Sequence, residues 1–564
     1  MAVSSRGGGA LALAFIMIAG AGPAAQRVEG PTGGLPPRVG VTRDTDLSLE
    51  DAITQALSAN ADVAVARIAR ELAVNDVAAR AGAFDPQLAV QTSLQHQVMP
   101  ISSIIGGSAS GKLQQQNLFF GPQVSGLLPG SGTQYQAAFN SRRLTTDNQF
   151  VTLNPQFPSE LSLSVVQPLF RGRQVDDPRR QLELARRNET MSDEQFRQRV
   201  MDITLEAELA YWDLTFANRS LTVEREGLAL AREQVAGNRR LVAQGLAAPV
   251  DVLEAETQVS MLEQSLYAAQ AALTRAENRL KALMLPDRGS PLWSSALRPT
   301  TLPPAELPGQ SVEEAVRDAL ASRPELVQAT IAASVNEVNG RFLRDQTRPQ
   351  IDLVGTYTSS GLAGHVIPPG PNPFTTGFFP LIDRLNTLST LQGLAPLSSE
   401  FGGFSGTVPA SLTGGVAQSL STLLQQDFPT VEVGVRIGLP FRNRTAEARV
   451  ASSLAERRRL DLERRRLEQA VEAEVRDALQ AVVSGSAALA SAAAARASAE
   501  GLYASEQRQF AAGTSTVFLV LQRQTSMITS RTQHARAEVE LGKGLARFRR
   551  ATGQILTAHG ISVR

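Results

Sequence analysis

The sequence predicts an internally duplicated α+β membrane protein in which long antiparallel coiled-coil helices adjoin four strands of membrane-crossing length. Three observations carry this: two halves that repeat the same landmarks, a pair of very long helical runs, and alternating strands in a chain that opens on an export signal.

The amino terminus reads MAVSSRGGGALALAFIMIAGAGPAA, with a charge at Arg6, an apolar run from Ala10 to Ile18, and small residues at Ala19, Ala21 and Ala25. This is the three-part layout of a secretory signal, assigned to residues 1–25. The apolar run is shorter than the ~20 residues that a spanning helix needs. No later stretch is read as long enough either, so crossing a bilayer would fall to strands. Residues 26–46 form a linker.

The duplication shows next. SLEDAITQAL from Ser48 matches SVEEAVRDAL from Ser311, and Pro86-Gln87-Leu88 matches Pro349-Gln350-Ile351; both pairs lie 263 residues apart (311 − 48 and 349 − 86). Further on, Gln167-Pro168-Leu169-Phe170-Arg171 resembles Leu439-Pro440-Phe441-Arg442. The stretch starting at Gly245 resembles the one starting at Gly513, 268 residues later (513 − 245). Landmarks in one order at nearly constant spacing mark a repeat. The first covers residues 47–285, a Pro- and Leu-rich linker covers 286–310, the second repeat covers 311–556, and a tail covers 557–564.

Each repeat is expected to open with one helix, Leu47 to about Ala81 and Ser311 to about Leu343, with Ser48 and Ser311 as caps ahead of acidic first turns. Strands follow. Val431, Val433, Val435, Ile437 and Leu439 alternate with Glu432, Gly434, Arg436 and Gly438, and Leu161-Ser162-Leu163-Ser164-Val165 repeats the pattern. Earlier in each half, Leu88, Val90, Thr92 and Leu94 alternate with Gln87, Gln91, Ser93 and Gln95; Ile351, Leu353 and Tyr357 alternate with Gln350, Asp352 and Thr356. Such faces pack either on a soluble core or on lipid. Export, a run length suited to a tilted crossing of ~9–11 residues, and the Gly-, Ser- and Pro-rich insertions Val98–Gln114 and Ser359–Gln426 favour lipid. Four strands cannot close a barrel, for which about eight are needed, so several copies of the chain must supply them.

Each repeat closes with a long helix, a glycine turn and a second helix. The first members run from about Asp176 to Ala243 and from about Thr445 to Ala511, or 68 and 67 residues, which at ~1.5 Å per residue is about 100 Å each. Val200, Ile203, Ala207, Ala210, Leu214, Ala217, Leu221, Leu228, Ala231, Val235 and Val242 keep a three-four spacing interrupted at Glu224 and Asn238. This is a coiled-coil seam.

Composition excludes several functions. The 55 basic and 54 acidic residues are spread evenly to a net charge of +1, so no nucleic-acid footprint is present. With no cysteine there are no disulfides and no thiolate metal sites. Gly106–Lys112, GGSASGK, stops short of a phosphate loop because Leu113 stands where Ser or Thr is required. His96, His365, His534 and His559 have no metal-ligand spacing. No catalytic residue, metal or cofactor is therefore expected.

The opening LSLEDAITQAL with its SVEEAVRDAL copy, the QPLFRG segment from Gln167, and the turns QGLAAPVDVLEAETQ and AGTSTVFLVLQRQTS together resemble the TolC-like outer-membrane efflux family, over roughly Leu47 to Leu556. The resemblance implies a homotrimer with a 12-stranded β-barrel, four strands per protomer, in outer-membrane lipid, continued by an α-barrel of twelve helices through the periplasm. It implies an outer-membrane channel subunit of a tripartite efflux or type I secretion system, working as a passive conduit with a periplasmic adaptor and an inner-membrane pump. A soluble periplasmic coiled-coil scaffold or adaptor is the alternative reading.

By position, the resemblance makes Gly245, Leu246 and Ala247, with Gly513, Thr514 and Ser515, the adaptor-docking helix tips; each glycine equally suits a plain helix cap. The gate positions are Asp251, Glu254, Phe510, Leu519 and Gln522. Phe510 and Ser515 stand where relatives carry tyrosine and arginine, and Leu519 and Gln522 where they often carry acids. Rings of Asp251 or Glu254 would then supply any cation selectivity at the entrance, unless both are ordinary solvated acids. Asn117–Val124 and Thr133–Ser141 look strand-like beyond the four strands and suit either a hairpin above the membrane or a lengthening of barrel strands.

Overall fold

The structure is a computed structural model that describes residues 35–102, 107, 108, 110–246, 248–303, 309–367, 378–397 and 408–563. The expected signal, and the linker up to residue 34, lie outside the described residues. In chain order the elements are β1 (Arg43–Leu47), α1 (Leu49–Ala59), α2 (Ala61–Ala81), β2 (Gln87–Pro100), β3 (Lys112–Leu127), β4 (Gln134–Thr146), β5 (Leu153–Pro168), α3 (Asp177–Ala243), α4 (Pro249–Met284) and β6 (Ser295–Pro299). There follow α5 (Val312–Ser322), α6 (Pro324–Asp345), β7 (Gln350–Val366), α7 (Phe379–Leu391), α8 (Val416–Leu424), β8 (Phe428–Gly438), α9 (Arg444–Ala511), α10 (Val517–Ala551) and α11 (Ile555–Ala558).

The opening helix of each half is two helices, not one. Asn60 ends α1 and caps α2 through its side chain, while Arg323 and the following Pro324 break the second copy at the equivalent place. Ser48 accepts from the Asp51 amide at 3.1 Å, and Ser311 with Glu314 forms a reciprocal capping box. The long helices α3 and α9 run within a residue of their expected limits, at 67 and 68 residues.

Near the sheet, α3 lies between α2 and α6, and α6 packs on α9; lower down, α3 lies between α4 and α10, and α10 packs on α9. Each level is thus a layer four helices wide, with α2 or α4 at one edge and α9 at the other. The seam of α3 is buried from Val200 to Val235, and Val242 is half-buried. Asn238 is fully buried within it, accepting from Gln234 and donating to the Asp251 carbonyl at 3.1 Å. A satisfied polar group at such a place sets the register of the helices. Arg225 and Glu226 are exposed. One stretch corrects the expectation that no later helix is apolar enough to cross a membrane: α9 passes by length and composition. Its apolar character comes from Ala478–Ala495, which has no charged residue and stands largely exposed at the edge of the helical layer.

The core lies where α1, α3, α4 and α10 meet, around Tyr211 and Trp212, both fully buried with rings edge to face at 5.3 Å. The linkers enter it as well: β1 and β6 pair in parallel, and Tyr211 Oη donates to the Leu47 carbonyl at 3.1 Å while accepting from the Thr301 amide at 2.9 Å.

The main sheet corrects the expected strand count. Among the described residues it has six strands in the order β2-β3-β4-β5-β7-β8, every neighbouring pair antiparallel, in place of four. The unassigned strand-like stretches are β3 and β4, and they neither stand above the sheet nor merely extend other strands. Val98–Gln114 is accordingly a connection between paired strands. The reason is register. Gln87–Pro100 pairs with Lys112–Ser125 and Gln134–Ser141 with Ser159–Val166, so the hairpin satisfies the inner edges of both β2 and β5.

Candidate functional site: a two-faced sheet and paired helix tips

Paired residues in a ladder share a face, and following the pairs across the six strands separates a mainly apolar from a mainly polar face, with Arg143 and Ser141 on the first and Phe119 and Leu144 on the second. One face carries Leu94, Leu118 and Phe120, then Phe139 and Leu163, then Tyr357 and Val431. The other carries Gln91 and Gln95, Asn140 and Arg142, Ser162 and Ser164, Thr356, Glu432 and Arg436. The apolar face is most exposed on the outer strands and half-buried in the middle, at Phe139 and Tyr357. Leu94 is 78%, Val431 70% and Val433 73% exposed, so a single copy does not fold these strands around its own interior.

The far end of that face is covered, over β5 and β7, by α8. There the strand positions shrink to Ser159, Ser359 and Gly361. Ser159 Oγ meets Ser419 Oγ at 2.6 Å, Ser359 donates to the Leu423 carbonyl at 2.8 Å, and a Cβ on Gly361 would stand 2.2 Å from the Ser419 carbonyl. The Ser359–Gln426 stretch is thus more than loop: β7 continues through it to Val366, and α7 and α8 lie within it. The apolar side chains Phe379, Leu381, Leu385 and Leu388 of α7 are exposed.

At the opposite end of the molecule, both helical hairpins turn in the same way. Gly245 has φ +74° and Gly513 φ +76°, a left-handed conformation that glycine adopts freely. The Gly245 and Leu246 amides donate to the Val242 and Leu241 carbonyls, and the Gly513 and Thr514 amides donate to Phe510 and Gln509. This is the Schellman cap in both halves. Both glycines face open space. Ala247 lies outside the described residues.

The expected gate residues divide. Asp251 begins α4 and its Oδ2 accepts from the Ala248 amide at 3.0 Å, while Glu254 is exposed. Phe510 turns inward to pack against the tip cluster of Val235, Ala255, Val517 and Leu521. Leu519 and Gln522 are exposed on α10. Ser515 donates to Glu506, whose other oxygen lies 3.7 Å from Arg523 Nε. Sequence reasoning missed Glu506 and also the exposed apolar tip residues Val250, Leu253 and Phe518. Their only sequence signal was large apolar side chains at the start of a helix whose inward positions were already filled.

Residues 52–284 match the family model described as Outer membrane efflux protein. The first repeat thus carries the likeness to the TolC-like outer-membrane efflux family that its motifs suggested. Solved structures agree in fold. The outer-membrane channel OprN aligns with TM-score 0.59 and 16% identity over 90% of each chain. CusC, described in connection with transmembrane channel formation, aligns with TM-score 0.59 and 15% identity over 91% of this chain and 93% of that chain. The Campylobacter jejuni CmeC outer-membrane channel aligns with TM-score 0.56 and 12% identity over 90% and 86%. No curated protein matches. Among the described residues no cluster of His, Cys, Asp and Glu has the makings of a metal site.

Proposed function

We propose that this chain is the outer-membrane channel subunit of a tripartite efflux or type I secretion system, a passive trimeric conduit with no catalysis of its own. The observation that carries the reading is the exposed apolar face of a sheet whose two outer edges, on β2 and β8, have no neighbour among the described strands. Apolar side chains at that exposure suit hydrocarbon, and free edges in lipid cost several kcal/mol per unpaired group unless other copies pair with them. The helical layer supports the same assembly, because α9 presents its exposed alanine run at one edge and α2 presents Val65, Ile68 and Leu72 at the other. The scaffold alternative would need that sheet face covered, and α8 covers only one end of it.

A periplasmic adaptor and an inner-membrane pump complete the conduit in this reading. The tips around Gly245, Leu246 and Ala247, and around Gly513, Thr514 and Ser515, are the adaptor-docking surface, supported by the exposed Leu246, Val250, Leu253 and Phe518. Asp251 and Glu254 line the entrance. Residues 1–25 act as the export signal, and 47–285 and 311–556 act as the two repeats. The test is fractionation: a heat-modifiable trimer in detergent extracts of outer membranes is expected, and a soluble monomer overturns the reading.

A further inference from the structure

We propose that three copies close their sheets into one eighteen-stranded barrel, with β8 of each copy pairing antiparallel to β2 of the next; this rests on the trimeric channel reading above. The family resemblance implies twelve strands, and the difference lies in the β3–β4 hairpin.

The hairpin belongs to the wall by each local criterion. Its ladders with β2 and β5 run through Gln87–Ser125 and Gln134–Val166, so a direct β2 to β5 contact would require both ladders to be dismantled. Its side chains follow the two-faced pattern through most of their length: Leu118, Phe120 and Phe139 continue the apolar face of Leu94, and Asn140 and Arg142 the polar face, with Arg143 and Phe119 as exceptions. Its turn is fastened to the helical body, with Leu128 and Thr133 closing the turn by an amide-to-carbonyl bond at 2.9 Å and Arg179 Nη1 of α3 donating to the Gly130 carbonyl at 3.3 Å.

Closure then follows from parity and size. An even number of alternating strands per copy leaves β2 and β8 running in opposite directions, so every junction between copies is antiparallel, as in other outer-membrane barrels. With strands ~4.8 Å apart and tilted ~40°, eighteen give a circumference of about 110 Å, against about 75 Å for twelve. A ring of twelve helices at ~9–10 Å spacing measures about 110–120 Å. An eighteen-stranded wall therefore continues the helical tunnel without narrowing and, at this strand number, leaves an open aqueous lumen. The outlet takes bulkier solutes than a twelve-stranded wall would, and selection by size passes to the periplasmic tips.

The test uses tryptophans placed on the apolar face of the full-length protein in vesicles with brominated acyl chains. Val433→Trp on β8 lies in the wall at either strand count; Phe120→Trp on β3 lies there only at eighteen. Both are expected to lose emission to a similar extent over the constant background of Trp212 and Trp293. Quenching at V433W with none at F120W overturns the eighteen-stranded barrel and leaves the channel reading standing, whereas absence of quenching at both sinks the channel reading itself. Cryo-electron microscopy of the trimer in nanodiscs gives the strand count directly: eighteen supports the proposal, and twelve with the hairpin outside the wall refutes it.

Discussion

The carboxylate of Asp251 accepts a hydrogen bond from the backbone amide of Ala248 at 3.0 Å. An acid proposed to set the charge of the entrance therefore also holds the first turn of α4, where no side chain at the cap position can do so. Removing the charge and removing the cap are separate perturbations.

Asp251→Asn keeps an oxygen for the Ala248 amide and deletes the charge, so it is expected to lower cation preference in single-channel recordings with little change in melting temperature. Asp251→Ala should lower both, with a stability loss of about 1 kcal/mol from the missing cap. Unchanged ion preference in D251N removes Asp251 from the entrance ring.

Gly245→Ala and Gly513→Ala place a Cβ in the left-handed region. Each is expected to cost about 1 kcal/mol through backbone strain alone, since nothing lies near the added methyl. Calorimetry on the two single variants should give similar small decreases; a neutral result at either would mean that the turn is remade on assembly.

Glu325 sits in a network that joins α6 to α3, α9 and α10. Burial alone would raise its pKa, but hydrogen bonds from Arg323 and Arg550 outweigh it and bring it down to about 2. Arg550 also binds Asp202 at 2.7 Å, and Arg323 also binds Glu474. Because the folded value lies below the ordinary 4.5, the stabilisation is present above pH 4.5 and is lost as pH falls toward 2. Glu325→Gln should therefore destabilise by ~2–3 kcal/mol near neutrality, and the gap from the parent protein should shrink between pH 4.5 and 2. Thermal melts across that range that stay a constant distance apart would refute the assignment.

Tyr211→Phe leaves the Thr301 amide without its acceptor, while the Leu47 carbonyl keeps its bond from the Thr300 amide at 3.0 Å. A loss of ~1–3 kcal/mol is expected, together with faster protease cleavage near the β1–β6 pair that joins the two linkers. Unaltered cleavage would show that this ladder holds without the tyrosine.

Gly361→Val sets a branched side chain against the Ser419 carbonyl and should lift α8 off β5 and β7. Hydrogen exchange within 416–424 is expected to rise while that of β8 stays unchanged. If α8 exchange does not rise, the helix is held by contacts other than this close approach.

The long helices and their glycine turns were legible because their causes are local. A three-four apolar spacing sustained over α3, and a glycine followed by a fresh helix start, leave a chain few choices. The repeat was legible for a similar reason: equal spacing survives in the sequence whatever the packing. The break at Asn60 was harder to see, since asparagine at mid-helix and asparagine as a cap differ only in backbone angle. Among the expected gate residues, the position of Phe510 along the helix does not state which neighbour it faces, and only the packing of α9 against the tip cluster showed its ring turned inward.

By itself the sequence determined the duplication, the two-faced strands and the length of the helical body, all of which depend on periodicities within a single segment. Tertiary structure decided how many strands share one sheet. Alternation fixes which side a residue takes but not which strand stands beside it, and that choice depends on backbone hydrogen bonds between segments far apart in the chain. For that reason the stretches around Asn117 and Thr133 could be recognised as strand-like and still not be assigned until β2 and β5 were seen to pair with them.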